Sequence, residues 1–591
     1  MAAPANSLKH YKYLLPYLAK YRRGYFWGLA CLITVDAAQI AIPQFIRKAV
    51  DLISSGDFRW AQIVGLCAWM TAIMAVISVG RFSWRYFIHG SSRRIETEIR
   101  EKIFAHLQTL SWDFYQSNKI GDLMARSTND LNAVRMAIGM GFVALVDFLV
   151  MATAILIIIF TQDAESALFS IIPLPLVTVL ILIFGRTVGK KFQAAHESYS
   201  KMSDTAQETF AGLRVIKSFV KEWWFIKKFA SDNDQYRRAN MELVRLFGIF
   251  FPLVTFLSEL TVLIMLVIGG IRVINGLMSP GSLVAMFRYL HMLIWPLMGA
   301  GFMVNMIQRG AVSLGRVYSV LNTVPSIRDE EGAGQKPVID DKANSAIEIK
   351  DLSFSYNDNV PVLENISLTL ARGEWLGIMG RTGSGKSTLI KTLTRTVDPP
   401  KGTVFAFGRD IREWPLSDLR GLFAVSPQDS YLFSDSIQNN IAYGLDSAGE
   451  DLLQKAASMA ALEKDIAGFS DGDSTLIGER GLTLSGGQKQ RVAVARALIM
   501  DSEILILDDS LSAVDAETEK KILDALLLER RGRTTILVSH RVSTLRYADK
   551  VLVLERGRKG EYGSPSELSR RGGFYSRMAA LQQLESGRGN G

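Results

Sequence analysis

Six long apolar segments, near residues 24–46, 60–88, 138–160, 166–187, 247–274 and 282–306, dominate the first half of this chain of 591 residues. A helix rises 1.5 Å per residue and a bilayer's hydrocarbon core is roughly 30 Å thick, so about 20 apolar residues cross it. Inside hydrocarbon every backbone N–H and C=O must find a partner, and a single segment of this length meets that demand as a helix. One such run could be a buried helix of a soluble protein, but six in succession point to a helical membrane domain. The segments 60–88 and 247–274 exceed what a span needs and are expected to run beyond the lipid.

Loop charge gives the orientation. The stretch 89–137 carries Arg93, Arg94, Arg100, Lys102, Lys119, Arg126 and Arg135. The stretch 188–246 carries Lys190, Lys191, Lys201, Arg214, Lys217, Lys221, Lys227, Lys228, Arg237, Arg238 and Arg245. The alternate connections "TQDAE" (161–165) and "NGLMSPG" (275–281) hold no Lys or Arg. Both basic stretches and both termini are therefore expected on the cytoplasmic side of the cell inner membrane. The net charge of +9 finds its place there and needs no nucleic acid to explain it.

Each basic stretch has helical periodicity and few breakers. Each reads as two membrane helices continuing into the cytosol and meeting at a short connection, near 111–122 and 210–224. The aromatics of "FAGLRVIKSFVKEWW" at the second connection suggest docking onto another domain. The segment 11–28 mixes Tyr, Trp, Lys and Arg, as expected of a helix lying in the cytoplasmic interface. The opening stretch has no short apolar core followed by a cleavage site, so the first apolar segment is expected to stay in the membrane. Cys31 and Cys67 lie within apolar runs and offer neither a disulfide framework nor a metal cluster.

The texture then changes. Residues 323–345 are polar, rich in Gly and charge, and aperiodic. From Ile347 the alternation "AIEIKDLSFSY" reads as strand. Apolar strands and amphipathic helices follow in turn to about residue 580, which implies an α/β domain on a mainly parallel sheet. The expected organisation is a membrane domain over 1–322, a linker over 323–345, an α/β nucleotide-binding domain over 346–580 and a disordered tail over 581–591.

Three motifs carry the chemistry. The first is "GRTGSGKST", Gly380, Arg381, Thr382, Gly383, Ser384, Gly385, Lys386, Ser387 and Thr388, placed between an apolar strand and a helix. Its glycines let backbone N–H groups curl around phosphate oxygens, Lys386 reaches the outer phosphates of ATP, and Ser387 is a ligand for Mg²⁺. The second is "EILILDD" (503–509), an unbroken apolar run suited to a strand buried on both faces. Its C-terminal end opens where ligands bind in such sheets, and Asp508 is the carboxylate for Mg²⁺. The third is "LSGGQKQR" (484–491).

With that third motif the chain resembles the ATP-binding cassette (ABC) transporters, over essentially its whole length and with the motifs in the family's order. The resemblance implies further roles. Tyr356 stacks on adenine, Gln428 contacts Mg²⁺ and the docking helices, "GERG" (478–481) precedes the signature, Asp515 lies in the loop crossing the dimer interface, and His540 senses the γ-phosphate. Ser485, Gly486, Gly487 and Gln488 form the signature that closes on the ATP held by a second subunit. Six spans and one cassette make a half-transporter, which must pair.

Asp509 departs from the family, where glutamate commonly follows the metal aspartate and positions or deprotonates the attacking water. One methylene less retracts the carboxylate by about 1.5 Å, and a misplacement of about 1 Å can cost 10²-fold in rate. The resemblance is thus to the degenerate-site subunit of heterodimeric bacterial multidrug exporters, with this chain supplying an intact signature. The alternative is a homodimer in which Asp509 is a slower base.

Ionisable residues within spans are costly and tend to face the bundle interior. Asp36, Arg81, Arg85, Asp147, Glu259, Arg272 and Arg288 are candidates to line a cavity for amphipathic or cationic compounds, or to pair between helices. Export of hydrophobic or amphipathic drugs or lipids is the leading reading. An ATP-gated channel or regulatory subunit is the second, and a soluble nucleic-acid-linked ATPase is excluded by the spans.

Overall fold

The computed structural model describes residues 7–56, 58–329, 344–356, 360–478 and 484–588. Two compact units result, one of Met1–Thr109 with Asn118–Thr323, the other of Leu110–Ser117 with Val324–Gly591.

Among the described residues the first unit contains six helices long and apolar enough to cross a membrane: Arg22–Ser55, Trp60–Thr109, Ile120–Gln162, Ala164–Ala211, Glu222–Ile274 and Pro280–Leu321, here spans 1 to 6. Span 5 has 53 residues. At 1.5 Å per residue it is about 80 Å long, more than twice the hydrocarbon thickness, so the expected extension beyond the lipid is one continuous helix. Span 6 starts cleanly because Pro280 occupies its first turn and the Ser279 hydroxyl accepts the Ser282 N–H at 3.1 Å.

Short helices stand at both expected connections, Trp112–Ser117 and Leu213–Ser218. The first packs as part of the second unit, where Lys391 lies 5.1 Å from the centroid of the Trp112 ring. At the second, Phe210, Phe219 and Trp223 are 74%, 70% and 76% exposed, an apolar surface left without cover in this chain. The segment 7–20 does more than lie at an interface. Leu14 and Tyr17 are buried, the Tyr11 hydroxyl donates to Ile307 O at 2.8 Å, and the Tyr318 hydroxyl donates to Tyr13 O at 3.1 Å, so it is sewn onto span 6.

The ionisable residues of the spans divide. Arg272 pairs with Asp163 at 2.7 Å and with Glu165 at the end of span 5, a structural role. Arg85 lies 5.5 Å from the Trp84 ring, and Glu259 and Arg288 are exposed. Asp36 is buried and feels the charge of Asp147, which in turn faces Arg81. Asp36 Oδ2 and Asp147 Oδ1 have no hydrogen-bond partner among the described residues. Arg81 itself donates to Gln39 Oε1 at 3.1 Å.

Among the described residues the second unit holds ten strands: β1 Ser345–Phe354, β2 Leu363–Ala371, β3 Trp375–Gly380, β4 Val404–Ala406, β5 Arg409–Asp410, β6 Phe423–Ser426, β7 Ile504–Asp508, β8 Thr534–Val538, β9 Lys550–Glu555 and β10 Arg558–Gly563. The central sheet runs β10-β9-β3-β8-β7-β6, parallel except for the antiparallel edge strand β10. Strands β3, β7, β8 and β9 are buried on both faces, whereas the edge strand β10 is not. Leu505 and Leu507 of β7 enter one core and Ile504 and Ile506 the other, as a two-residue period dictates. A second sheet, β2-β1-β4-β5, is antiparallel and completes the second core. The strand texture from Ile347 belongs to this sheet, which the alternation of strands and helices did not distinguish from the parallel one.

Of the expected linker, residues 330–343 lie outside the described residues, and β1 already begins at Ser345. The expected disordered tail is corrected in part. The last helix, Phe574–Arg588, continues through 581–588, and 589–591 lie outside the described residues. One physical reason is Gln582, whose amide donates to His540 O at 2.8 Å and whose oxygen accepts the Val542 N–H at 2.8 Å.

Candidate functional site

Four neighbouring parallel strands, β3, β8, β7 and β6, end at one edge of the central sheet. Gly380 ends β3, Ser426 ends β6, Asp508 ends β7 and Val538 ends β8. Gln428 and His540 each follow two residues beyond a strand end. Sheet topology therefore collects residues far apart in sequence at the carboxyl edge where such sheets bind ligands.

They line a cleft of about 210 Å³ with Val362, Thr382, Gly383, Ser384, Gly385, Lys386, Ser387, Thr388, Gln428, Asp508, Asp509 and His540 on its walls. The loop turns into the helix Lys386–Leu393 through Gly385, whose φ is +98°. A Cβ at Gly385 would lie 2.7 Å from Leu363 Cδ2 and 3.0 Å from Val362 O, so conformation and space both require glycine. Backbone N–H groups at this helix start favour anions. The Lys386 ammonium donates to Gly380 O at 2.8 Å and Arg381 O at 3.1 Å, which sets it across the mouth of the loop.

The cleft's charges are mutually adjusted. Burial lowers the Lys386 pKa, against the pull of Asp508 and Asp509. Burial raises Asp508, and the neighbouring Asp509 raises it further, while Lys386 opposes. Burial also raises Asp509, opposed by His540 and Lys386. Burial lowers the His540 pKa and Lys386 lowers it further, against the pull of Asp509. Asp509 itself sits in the left-handed region with φ +48°, its N–H donating to Val538 O at 2.9 Å. Aspartate enters that region more readily than most side chains, a reason for Asp at 509 that sequence spacing does not reveal.

Three expected residues flank the cleft without lining it. A Cβ at Gly380 would lie 2.5 Å from Leu554 O. The Arg381 guanidinium lies 5.8 Å from the Phe574 ring centroid. The Tyr356 hydroxyl is 3.2 Å from Thr388 Oγ1, with the residue 39% exposed. The oxygen donors Ser387, Gln428 and Asp508 share the cleft. One carboxylate with neutral oxygens fits Mg²⁺, which keeps waters and draws further ligands from phosphates.

The signature residues lie outside this cleft. Ser485 begins the helix Gly486–Leu498 with a reciprocal cap, its hydroxyl accepting the Gln488 N–H at 3.3 Å while Gln488 Oε1 accepts the Ser485 N–H at 2.9 Å. Gln488 and Arg491 are both held by Asp465, at 2.8 and 2.6 Å. Gly487 is pressed on the following loop: a Cβ there would lie 2.9 Å from Ala513 O. Asp515 caps the helix Ala516–Glu529, accepting the Thr518 N–H at 2.9 Å, which lowers its pKa. Of "GERG", residues 479–481 lie outside the described residues.

Sequence reasoning missed the residues that connect these pieces. Arg541, next to His540, donates to Ser512 O at 2.8 Å and Val514 O at 3.0 Å and pairs with Glu519. Gln490 donates to Ser512 Oγ at 3.0 Å and accepts the Ala513 N–H at 2.7 Å. Gln490 lies within "LSGGQKQR" and Arg541 follows His540, but neither motif announces these contacts.

Known proteins agree with this geometry. Residues 25–297 match the ABC transporter transmembrane region and residues 363–512 match the ABC transporter family. The multidrug resistance-like ATP-binding protein MdlA of Escherichia coli (strain K12) is 34% identical over 571 residues, covering 96% of each chain. The probable multidrug resistance ABC transporter ATP-binding/permease protein YheI of Bacillus subtilis (strain 168) is 35% identical over 565 residues, 95% of each. An ATP-dependent lipid A-core flippase of Syntrophus aciditrophicus (strain SB) is 31% identical over 94% of this chain and 92% of its own. The solved structure of a bacterial Atm1-family ABC exporter with ATP bound superposes with a TM-score of 0.80 at 26% identity, covering 95% of this chain and 99% of that one. With a loop–helix phosphate cradle, a metal-type carboxylate and six spans in one polypeptide, the chain belongs to the ABC transporter family, as an exporter with a transmembrane and an ATP-binding domain.

Proposed function

We propose that this chain is one half of a heterodimeric exporter that moves amphipathic drugs or lipids out across a bacterial inner membrane, its cassette and both termini cytoplasmic, and that its own ATP site is the slow one. Coupling of ATP hydrolysis to transport, and action as a dimer, follow from the family. Support for the substrate class comes from the relatives, named as multidrug resistance-like proteins and a lipid A-core flippase. Lys and Arg in the stretches 89–137 and 188–246 support the orientation.

The observation that carries the slow site is Asp509 itself, in the cleft beside Lys386, Gln428, Asp508 and His540. Lys386 and the loop N–H groups bind the phosphates, Tyr356 and the flanking surface take the base, and Thr388 orients Tyr356 through its hydroxyl. Ser387, Asp508 and Gln428 would hold Mg²⁺, which would supply charge neutralisation for phosphoryl transfer. His540 stands ready to bond the γ-phosphate. Asp509 faces the same space with a carboxylate one carbon short of a water-activating glutamate. Ser485, Gly486, Gly487 and Gln488, outside this cleft, are then free to serve the partner's nucleotide, with Asp515 in the loop between.

The test is purification of the tagged chain from its native membrane followed by intact mass spectrometry. A one-to-one complex with a second half-transporter whose corresponding residue is Glu supports the reading. A complex of the chain with itself, hydrolysing ATP at rates typical of the family, refutes it. ATP-dependent uphill flux in proteoliposomes separates an exporter from an ATP-gated channel.

A further inference from the structure

A cavity of about 810 Å³ opens beside the start of span 1, with Phe26, Trp27 and Leu29 on one side and Phe142 and Leu145 of span 3 on another. Two tyrosines complete its wall, and both have spent their hydroxyls. Tyr11 donates to Ile307 O at 2.8 Å and Tyr25 to Ile138 O at 3.3 Å. The Tyr25 ring meets Phe142 edge-on, with centroids 5.7 Å apart. The wall thus presents rings and aliphatic carbon and asks for no hydrogen bond.

Its rim is different. Arg22 and Arg23, both exposed, are the charged residues lining the cavity, and neither has an ion pair or hydrogen bond among the described residues. The nearby Lys20, by contrast, is paired with Glu98 at 3.0 Å. A soluble anion would have no use for the apolar wall, and an uncharged apolar compound no use for two guanidinium groups. A molecule with an acidic head and a hydrocarbon tail uses both. Phe26 and Trp27 are 64% and 57% exposed on the outer surface of the helix, where a transmembrane segment meets the interface.

We infer that this cavity is a binding site for an acidic phospholipid of the surrounding leaflet, one acyl chain lying between spans 1 and 3 and the phosphate on Arg22 and Arg23. Basic pockets between transmembrane helices bind acidic headgroups by this combination of charge and groove. The site is separate from the nucleotide cleft and does not depend on which compound is exported. It ties the lipid to the segment 7–20 as well, because Tyr11 and Leu18 of that segment line the same cavity.

The test uses the full-length chain, with its natural partner if it has one, in nanodiscs containing brominated phosphatidylglycerol or brominated phosphatidylcholine in an otherwise unbrominated bilayer. Trp27 reports contact, read as the difference in quenching between the wild type and Trp27→Phe. The expected result is tighter association of brominated phosphatidylglycerol than of phosphatidylcholine, with a preference of about 5-fold for each arginine at low salt. Arg22→Gln with Arg23→Gln removes the preference while Trp27 remains quenched by both lipids. Equal quenching by the two lipids in the wild type overturns the proposal, as does a preference that survives the double substitution. A Trp27 that neither lipid quenches also overturns it, because protein from the partner subunit then fills the groove. ATP hydrolysis by the double variant, measured in detergent without phospholipid, is expected to match the wild type and serves as the control for folding.

Discussion

Replacing Asp509 by glutamate adds one methylene and moves the carboxylate about 1.5 Å further into the cleft. Acidity hardly changes, since model aspartate and glutamate differ by roughly 0.4 pKa units. Position is therefore what the substitution tests. If a misplacement of about 1 Å costs 10²-fold in rate, the barrier at this site is raised by about 2.7 kcal/mol, and Asp509→Glu recovers much of that. A counter-term arises because residue 509 has φ +48°. The left-handed region costs an ordinary L-residue about 1–2 kcal/mol, and aspartate less. That cost falls on folding rather than on the chemical step, and it is smaller than the expected gain. The assay is single-turnover hydrolysis of ATP by the full-length protein in nanodiscs, with nucleotide affinity measured in parallel. If the site is the slow one proposed above, glutamate is expected to raise its hydrolysis by one to two orders of magnitude with ATP affinity unchanged, whereas Asp509→Ala is expected to leave the rate nearly where it was. A glutamate variant that hydrolyses ATP no faster while binding it normally would refute the geometric reasoning, and an alanine variant far slower than wild type would show that Asp509 already works as the base.

Lys386→Ala removes charge-assisted hydrogen bonds worth roughly 1.5–3 kcal/mol each, so ATP affinity by fluorescence titration should fall at least tenfold with little change in melting temperature. Ser485→Ala removes a helix cap and should destabilise the cassette by about 1 kcal/mol, yet it should depress hydrolysis of the dimer much more steeply than that loss explains. Normal dimer hydrolysis in this variant would return Ser485 to a capping role. Leu505→Ala, in a strand buried on both faces, should cost about 2–5 kcal/mol, read as loss of the cassette's thermal transition at temperatures where the wild type is folded. Glu259→Gln should lower transport of cationic compounds without changing basal ATP hydrolysis; unchanged transport would assign Glu259 to helix packing or lipid exposure.

What could be read from sequence was what is local. Apolar runs declared the spans because hydrocarbon tolerates so few alternatives. The phosphate loop was legible because glycine, lysine and serine occur at the spacing that a strand–loop–helix turn requires, and its structure delivers Gly385 at φ +98°. What stayed hidden depends on partners distant in the chain. The alternation of β1 reads as strand, but which strands it pairs with, β2 and β4, is decided only by the fold, and that pairing makes them a separate sheet. The order of residues 581–588 depends on Gln582 meeting the backbone at His540 and Val542, 42 and 40 residues away. The segment 7–20 likewise looked amphipathic and interfacial, whereas its Tyr11 and Tyr13 are bonded to a helix almost 300 residues further on. The conformation of Asp509 is a fourth case, because no sequence pattern announces a left-handed residue that is not glycine.

The linking residues give the cassette a mechanical property that its motifs alone do not. Gln490, on the signature helix, binds the loop at Ser512 and Ala513. Arg541, beside His540, binds the same loop at Ser512 and Val514. Glu519 locks this arrangement, pairing with Arg541 and accepting from Thr544. Gln582 then fixes the backbone on either side of Arg541. These contacts join His540, through Arg541 and the loop, to Gln490 and the helix that Ser485 caps. If the signature serves the partner's nucleotide, as proposed above, the two sites of the dimer are coupled through this one loop even when only one of them hydrolyses. On that argument a slow site is not an idle one: ATP held at Lys386 and Asp508 sets the position of the signature on which the fast site depends.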